Sequence, residues 1–164
     1  MGIREALYEF ICKCFLENSK RIVIKFSYPI AMAFKQRFKF DIPAGEKIYE
    51  PDFEIAGAHH YTSDIASVMS KQGTSFYLKP EPQNKFDSNA IAVVGQTKNW
   101  LGTKIRKVGY LPSEIAKRVV ETKMFEHVML RPKSLYISDD GYVEFIADLL
   151  GPKPLWSQYN SARE

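Results

Sequence analysis

Five consecutive apolar residues, Ala90-Ile91-Ala92-Val93-Val94, come directly after a polar, turn-rich run, Pro82-Gln83-Asn84-Lys85-Phe86-Asp87-Ser88-Asn89. That junction limits the fold more than any other stretch. An apolar run without polar alternation reads as a strand covered on both faces, so other elements must pack above and below it. The turn run before it has no need of an aromatic residue, yet it sets Phe86 beside Asp87. Two readings stay open: the ring plugs the core beneath a tight turn, or ring and carboxylate face a ligand.

From Asp52 onward the pattern is one of short strands separated by turn signals. FEIAGAHHY (53–61) reads as a strand with Gly57 a bulge. TSDIASVMSKQG (62–73) reads as a helix capped by Thr62 or Ser63, striped by Ile65, Val68 and Met69, and ended by Gly73. SFYLKPEP is a strand demoted to an edge by its prolines, SNAIAVVG the central strand, QTKNWLGTKIR an exposed hairpin loop or extension, and KVGYLP a further strand. PSEIAKRVVETK is a second helix with Ile115, Ala116, Val119 and Val120 inward. HVMLRPKSLYIS and GYVEFIADLL close the domain as a hairpin around Asp139-Asp140-Gly141. The expected class is α+β, mainly β: a small six-stranded β-barrel, closed or nearly closed, flanked by two helices.

The boundaries expected are 51–151 for this domain, 1–50 for an N-terminal helical or mixed extension, and 152–164 for an irregular C-terminal tail in which Trp156 docks. Ile3, Ala6, Leu7, Phe10, Ile11, Cys14 and Phe15 have helical spacing. RIVIKFSY alternates as a strand does, PIAMAFKQRF fits a short helix, and DIPAGEKIYEP looks like a linker. The extension is a candidate for packing on the domain, for self-association or for binding a protein partner.

Net charge is +4, with nine basic and six acidic residues in 1–50 and twelve of each in 51–151. Net charge alone therefore carries no nucleic-acid signal. Any basic patch must come from arrangement. Cys12 and Cys14 match no common zinc or disulfide framework, and are expected to be reduced thiols. No signal peptide is visible, and the apolar stretch 22–34 holds Lys25 and Pro29 and is too short to span a bilayer. The expected setting is a soluble protein of the cytoplasm, or of the nucleus in a eukaryote, without membrane contact.

No nucleotide-binding loop, nucleophile elbow or metal ladder is present, so neither enzymatic activity nor a cofactor is expected. His59 and His60 would point to opposite faces of a strand and cannot share one ion there. Glu81 and Asp87 lack the third acid of a metal-dependent nuclease. Better supported is a cluster of flat and basic side chains: His59, His60 and Tyr61; Asn84, Phe86 and Asp87; and Trp100 interleaved with Lys98, Lys104, Arg106 and Lys107. Rings that stack on bases beside cations that meet phosphates suit a single-strand binder. A carboxylate within such a site repels phosphate but accepts a hydrogen from a free sugar hydroxyl.

The chain resembles the HIRAN domain family in four ordered pieces: FEIAGAHHYT (53–62), LKPEPQNKFDSNAIAVV (78–94), KVGYLPSEIAKRVV (107–120) and a final strand pair. Glu81, Pro82, Asn84, Phe86, Asp87, Asn89, Ala90 and Ile91 fit the family's acid-Pro, Asn-x-aromatic-Asp-x-Asn-Ala-Ile pattern in order. The resemblance covers residues 52–151. It implies an OB-like barrel that binds single-stranded DNA with preference for a free 3′-hydroxyl end. His60 and Phe86 would be the stacking platforms, Asp87 the hydroxyl acceptor, and Asn84 the residue that steadies the loop or touches the end nucleotide. His59 and His60 stand where the helicase-borne domains tend to have a basic residue and a tyrosine. Tyr110 and Ser113 stand at the positions of a histidine and a lysine. The resemblance thus implies a non-enzymatic DNA-end binding module. The alternative is the same barrel turned to a protein or peptide partner.

Overall fold

The computed structural model describes residues 34–69, 74–99 and 102–163. Seven strands lie in two antiparallel sheets. β1 (Phe34–Arg37), β2 (Glu46–Glu54), β6 (Met129–Ile137) and β7 (Val143–Pro152) form the first, in the order β1-β6-β7-β2. β3 (Ser75–Pro80), β4 (Ile91–Asn99) and β5 (Gly102–Tyr110) form the second, in the order β3-β4-β5. Three α-helices, α1 (Thr62–Met69), α2 (Ser113–Glu121) and α3 (Trp156–Asn160), pack around them. The apolar run from residue 90 is the middle strand β4, and Ile91, Ala92 and Val93 have no exposed surface.

The two sheets meet at one corner. Ile55 N–H still donates to Phe145 O of β7 at 2.8 Å. The next residue, Ala56, exchanges bonds of 2.8 and 2.9 Å with Tyr110 at the end of β5. The chain thus leaves one sheet and joins the other in a single step. So close an approach fixes the residue before Tyr110. Gly109 has φ +148°, and a Cβ there would lie 2.5 Å from Ile55 Cγ2 and 2.8 Å from the Ala56 carbonyl. Beside it a bulge inserts Val108, fully buried, between the pairs Val93↔Gly109 and Val94↔Lys107. An extra residue in one strand re-aims the side chains beyond it.

Four expectations are corrected. There is no closed barrel: among the described residues, the six strands of the domain, β2–β7, lie together with β1, which precedes it, in two sheets joined at this corner. The expected hairpin loop around 96–106 is strand, with Gln96↔Ile105, Thr97↔Lys104 and Asn99↔Gly102 paired. Polar residues hid it, because it pairs by backbone bonds without a continuous apolar face. The expected linker is largely β2, where shifts of register around Glu50 and Phe53 break the period-2 pattern. Phe34–Arg37, read as part of a helix, is β1, paired with β6 through Phe34↔Ile137 to Arg37↔Ser134. The helix expected over residues 3–15, the strand over 21–28 and both cysteines lie outside the described residues.

The C-terminal segment is ordered rather than irregular. Tyr159 of α3 is fully buried, its ring 4.6 Å from that of Tyr49 and its hydroxyl 2.9 Å from Glu50 Oε1. The same carboxylate oxygen receives Arg118 of α2 and, at 2.9 Å, Arg163. Burial, reinforced by the Glu50 charge, holds the Tyr159 hydroxyl well above the usual phenol range. Trp156 docks as expected, 5.2 Å from Tyr49 and with Lys47 Nζ 4.0 Å over its ring.

Gly109→Ala is expected to destabilise the fold by about 2–4 kcal/mol, summing backbone strain and overpacking at the corner. Urea unfolding monitored by circular dichroism checks this. A change below about 0.5 kcal/mol, typical of a surface substitution, would contradict it.

Candidate nucleic-acid interface

The loop between β3 and β4 is built by its own polar side chains. Glu81 N–H donates to Ala90 O at 2.8 Å and closes the base of the loop. Asn84 N–H returns to Glu81 O at 2.9 Å, and Asn84 Oδ1 accepts from Phe86 N–H at 3.0 Å. Asp87 Oδ1 accepts from Asn89 N–H at 2.8 Å, while Ala90 N–H reaches Asp87 O at 3.1 Å. These are the side-chain to backbone turns that Asn and Asp favour. They leave the Phe86 ring nowhere to bury: the residue is 98% exposed. The reading in which the ring plugs the core is therefore excluded.

A polar network fastens this loop to the sheet corner. Lys107 Nζ lies 2.6 Å from Glu81 Oε1 and 2.7 Å from the Tyr110 hydroxyl. The Tyr110 hydroxyl donates to Glu81 Oε2 at 2.9 Å, and the Asn84 amide also donates to Glu81. Lys107 Nζ sits 4.7 Å over the Tyr110 ring, and the Tyr61 ring meets Tyr110 edge-on at 6.5 Å. The bond from Lys107, helped by those from Tyr110 and Asn84, holds the Glu81 carboxyl below the usual carboxylate range against the opposing effect of burial. Burial works against the Lys107 ammonium, but the bonds to Glu81 and Tyr110 outweigh it and raise its pKa. Burial, then the bond to Tyr110, pushes the Tyr61 hydroxyl up.

His59 and His60 sit elsewhere than expected. The strand before them ends at Glu54, and Gly57, at φ 69°, leads into a 3₁₀ turn over Ala58–Tyr61. On this turn both imidazoles are exposed and lie side by side, centroids 3.9 Å apart, rather than on opposite faces of a strand. Among the described residues no group of three His, Cys, Asp or Glu is placed to hold a metal. Tyr61, the last residue of the turn, is half-buried and packs against the core.

The basic residues divide into two groups. Lys107 belongs to the loop network. Arg106 Nε pairs with Asp64 Oδ1 at 3.1 Å, and Lys104 Nζ donates to Ser67 Oγ at 2.6 Å, so both face α1. They lie roughly 13–20 Å along β5 from Tyr110 at about 3.3 Å per residue. Trp100 and the side chain of Lys98 lie outside the described residues. The structure thus joins Asn84, Lys107 and Tyr110 at Glu81, with Tyr61 against Tyr110 and with Phe86 and Asp87 on the turn that Asn84 caps. Sequence reasoning missed Glu81 as the hub. It placed the residue in the loop motif without giving it a role, and its signal was the position at the foot of the loop, where its backbone closes the turn and its side chain meets β5.

These features define a small β-rich binding domain: a rigid, hydrogen-bonded loop raises a ring and a carboxylate next to a polar network at the junction of two sheets. The chain belongs to the HIRAN domain family, whose sequence model matches residues 48–139. Among solved structures it is similar to the HIRAN domain of human HLTF, with 15% identity, a TM-score of 0.39, and coverage of 75% of this chain and 97% of that one. No curated protein matches it. None of the described helices is long and apolar enough to cross a membrane.

The Glu81–Lys107 pair makes a pH-dependent contribution to stability. A carboxyl whose pKa is depressed by folding stabilises above its unfolded value, and the contribution is lost as pH falls through its folded value. Lys107, raised by folding, contributes below its unfolded value and loses the contribution only in strong alkali. Glu81→Gln is therefore expected to lower stability at pH 7, and the difference from the parent should shrink at a pH well below the ordinary glutamate range. Equal destabilisation at both pH values in urea titrations would show that the charge of Glu81 is not what stabilises.

Proposed function

We propose that this domain is a non-enzymatic module that binds single-stranded DNA and prefers a free 3′-hydroxyl end. The observation that carries the reading is the exposure of Phe86 on a turn held by its own side chains. Hydrocarbon left in water forgoes about 1.5–3 kcal/mol relative to burial. A rigid loop that holds a bare ring outward is organised for a flat apolar partner, and every nucleobase offers such a face.

Asp87 supplies the end preference. Its Oδ1 is engaged by Asn89 N–H, which leaves Oδ2 to accept from a ligand hydroxyl. A terminal phosphate at the same place would meet a second negative charge instead of a donor. His60 is the second stacking candidate and His59 a hydrogen-bond donor for the backbone; both are exposed on the adjoining turn. Tyr61 and Tyr110 support the loop from beneath, and Lys104 offers a cation farther along β5 for nucleotides upstream of the end, with Arg106 beside it held by Asp64.

The test uses one short labelled strand ending in either a 3′-hydroxyl or a 3′-phosphate, titrated at low salt. The parent is expected to favour the hydroxyl end. Asp87→Asn keeps an oxygen for Asn89 N–H but replaces the second acceptor with a donor, so it should erase the preference. Phe86→Ala should weaken binding by about 1–3 kcal/mol, the worth of one base stack, and leave unfolding unchanged because the ring contacts no core. Equal affinity for both ends in the parent would refute the role of Asp87. Absence of binding to any oligonucleotide would refute the DNA reading in favour of a peptide ligand.

A further inference from the structure

The side chains of Glu81 and Lys107 are so far only fasteners of the loop, yet they are charges at the foot of the turn that carries Phe86 and Asp87. The ammonium of Lys107 is linked through Glu81 to Asn84, and Asn84 Oδ1 holds the amide of Phe86 next to Asp87. With side-chain exposures of 29% and 24%, the pair lies at the surface without being fully solvated. Charges so placed are screened less by salt than exposed ones. A lysine without a counter-ion at this spot would attract phosphate as a point charge. Held 2.6 Å from Glu81 Oε1 and bonded to the Tyr110 hydroxyl, it presents an approaching anion with a neutralised pair.

We infer that Glu81 is a specificity-determining residue: by occupying Lys107 it denies a 3′-phosphate its counter-charge, so rejection of the phosphorylated end comes from Glu81 as well as from Asp87. This rests on the 3′-end reading and deepens it. The device works by repulsion and withheld attraction rather than by added contact, which is how a site discriminates between ligands that share most of their surface. Arg106, paired with Asp64, stands at the next basic position of the strand in the same neutralised state. Two cations of the interface, Lys107 and Arg106, are therefore already matched, while Lys104 lies on the neutral Ser67 hydroxyl.

The experiment compares the parent, Glu81→Gln and the double variant Glu81→Gln/Lys107→Gln against the hydroxyl-ended and phosphate-ended strands over a range of salt. The glutamine amide keeps one acceptor oxygen, for Lys107, and presents its NH2 to the Tyr110 hydroxyl, while removing the charge. Glu81→Gln should gain affinity for the phosphate-ended strand, so that the hydroxyl-to-phosphate ratio falls severalfold. The salt slope for that strand should steepen by about 0.7, the value for one further neutralised phosphate on a single strand. The double variant should lose both gains, since the freed lysine is their source, and melting curves identify any variant that is not folded. If Glu81→Gln weakens both strands by the same factor with unchanged slopes, Glu81 is a structural tie only and the inference falls. If the parent binds neither strand, the 3′-end reading itself fails. If the parent prefers the hydroxyl end and Glu81→Gln keeps that preference intact, the inference fails alone.

Discussion

The pair of backbone bonds between Ala56 and Tyr110 organises both the fold and the site. It is where the first sheet hands the chain to the second, and it tolerates no side chain at position 109. On its N-terminal side, β2 is the outer strand of the four-stranded sheet. On its C-terminal side, Gly57 and the 3₁₀ turn set out His59 and His60. On the other partner, Tyr110 ends β5 and turns its hydroxyl to Glu81 at the foot of the 81–90 loop. Both candidate ligand-facing segments thus hang from one junction. Their relation is fixed by main-chain bonds, which a ligand need not order at its own entropic expense.

Charge is arranged with the same economy. The core of the first sheet buries Asp148 completely, and its oxygens are met by Asp52 N–H at 2.8 Å and by the Arg131 guanidinium. Asp52 holds a positive φ of 49°, and that amide bond fixes it where β2 shifts its register. Glu50 gathers Arg118, Arg163 and Tyr159 and so seats the C-terminal helix. At the interface Glu81 gathers Lys107, Tyr110 and Asn84. In each case one carboxylate joins segments distant in sequence.

Much of this was legible in the residues. The unbroken apolar run at 90–94 read as an interior strand, and the helical stripes of Thr62–Met69 and Ser113–Glu121 stood out because their apolar spacing is regular, although Val120, expected to face inward, is exposed. The loop motif around Phe86 and Asp87 was visible as a turn whose aromatic residue had no local reason. Strand β2 was not readable, because its irregular register destroys alternation, nor were the far ends of β4 and β5, whose pairing is polar. Tyr159 was hidden in a short tail without periodicity: its burial depends on Tyr49 and Glu50, more than a hundred residues away. Lys107 and Arg106 looked like free cations because a charge read along a chain does not show its partner.

Recognition of a strand end by this domain depends on whether the exposed ring of Phe86 meets a base. Nuclear magnetic resonance on protein labelled at the phenylalanine rings, titrated with a short 3′-hydroxyl strand, observes this contact directly. The Phe86 ring resonances are predicted to move upfield as a base stacks on them, while those of the buried Phe53 and Phe145 stay in place. Saturating the protein with the strand while the Phe86 resonances remain at their free positions would contradict it.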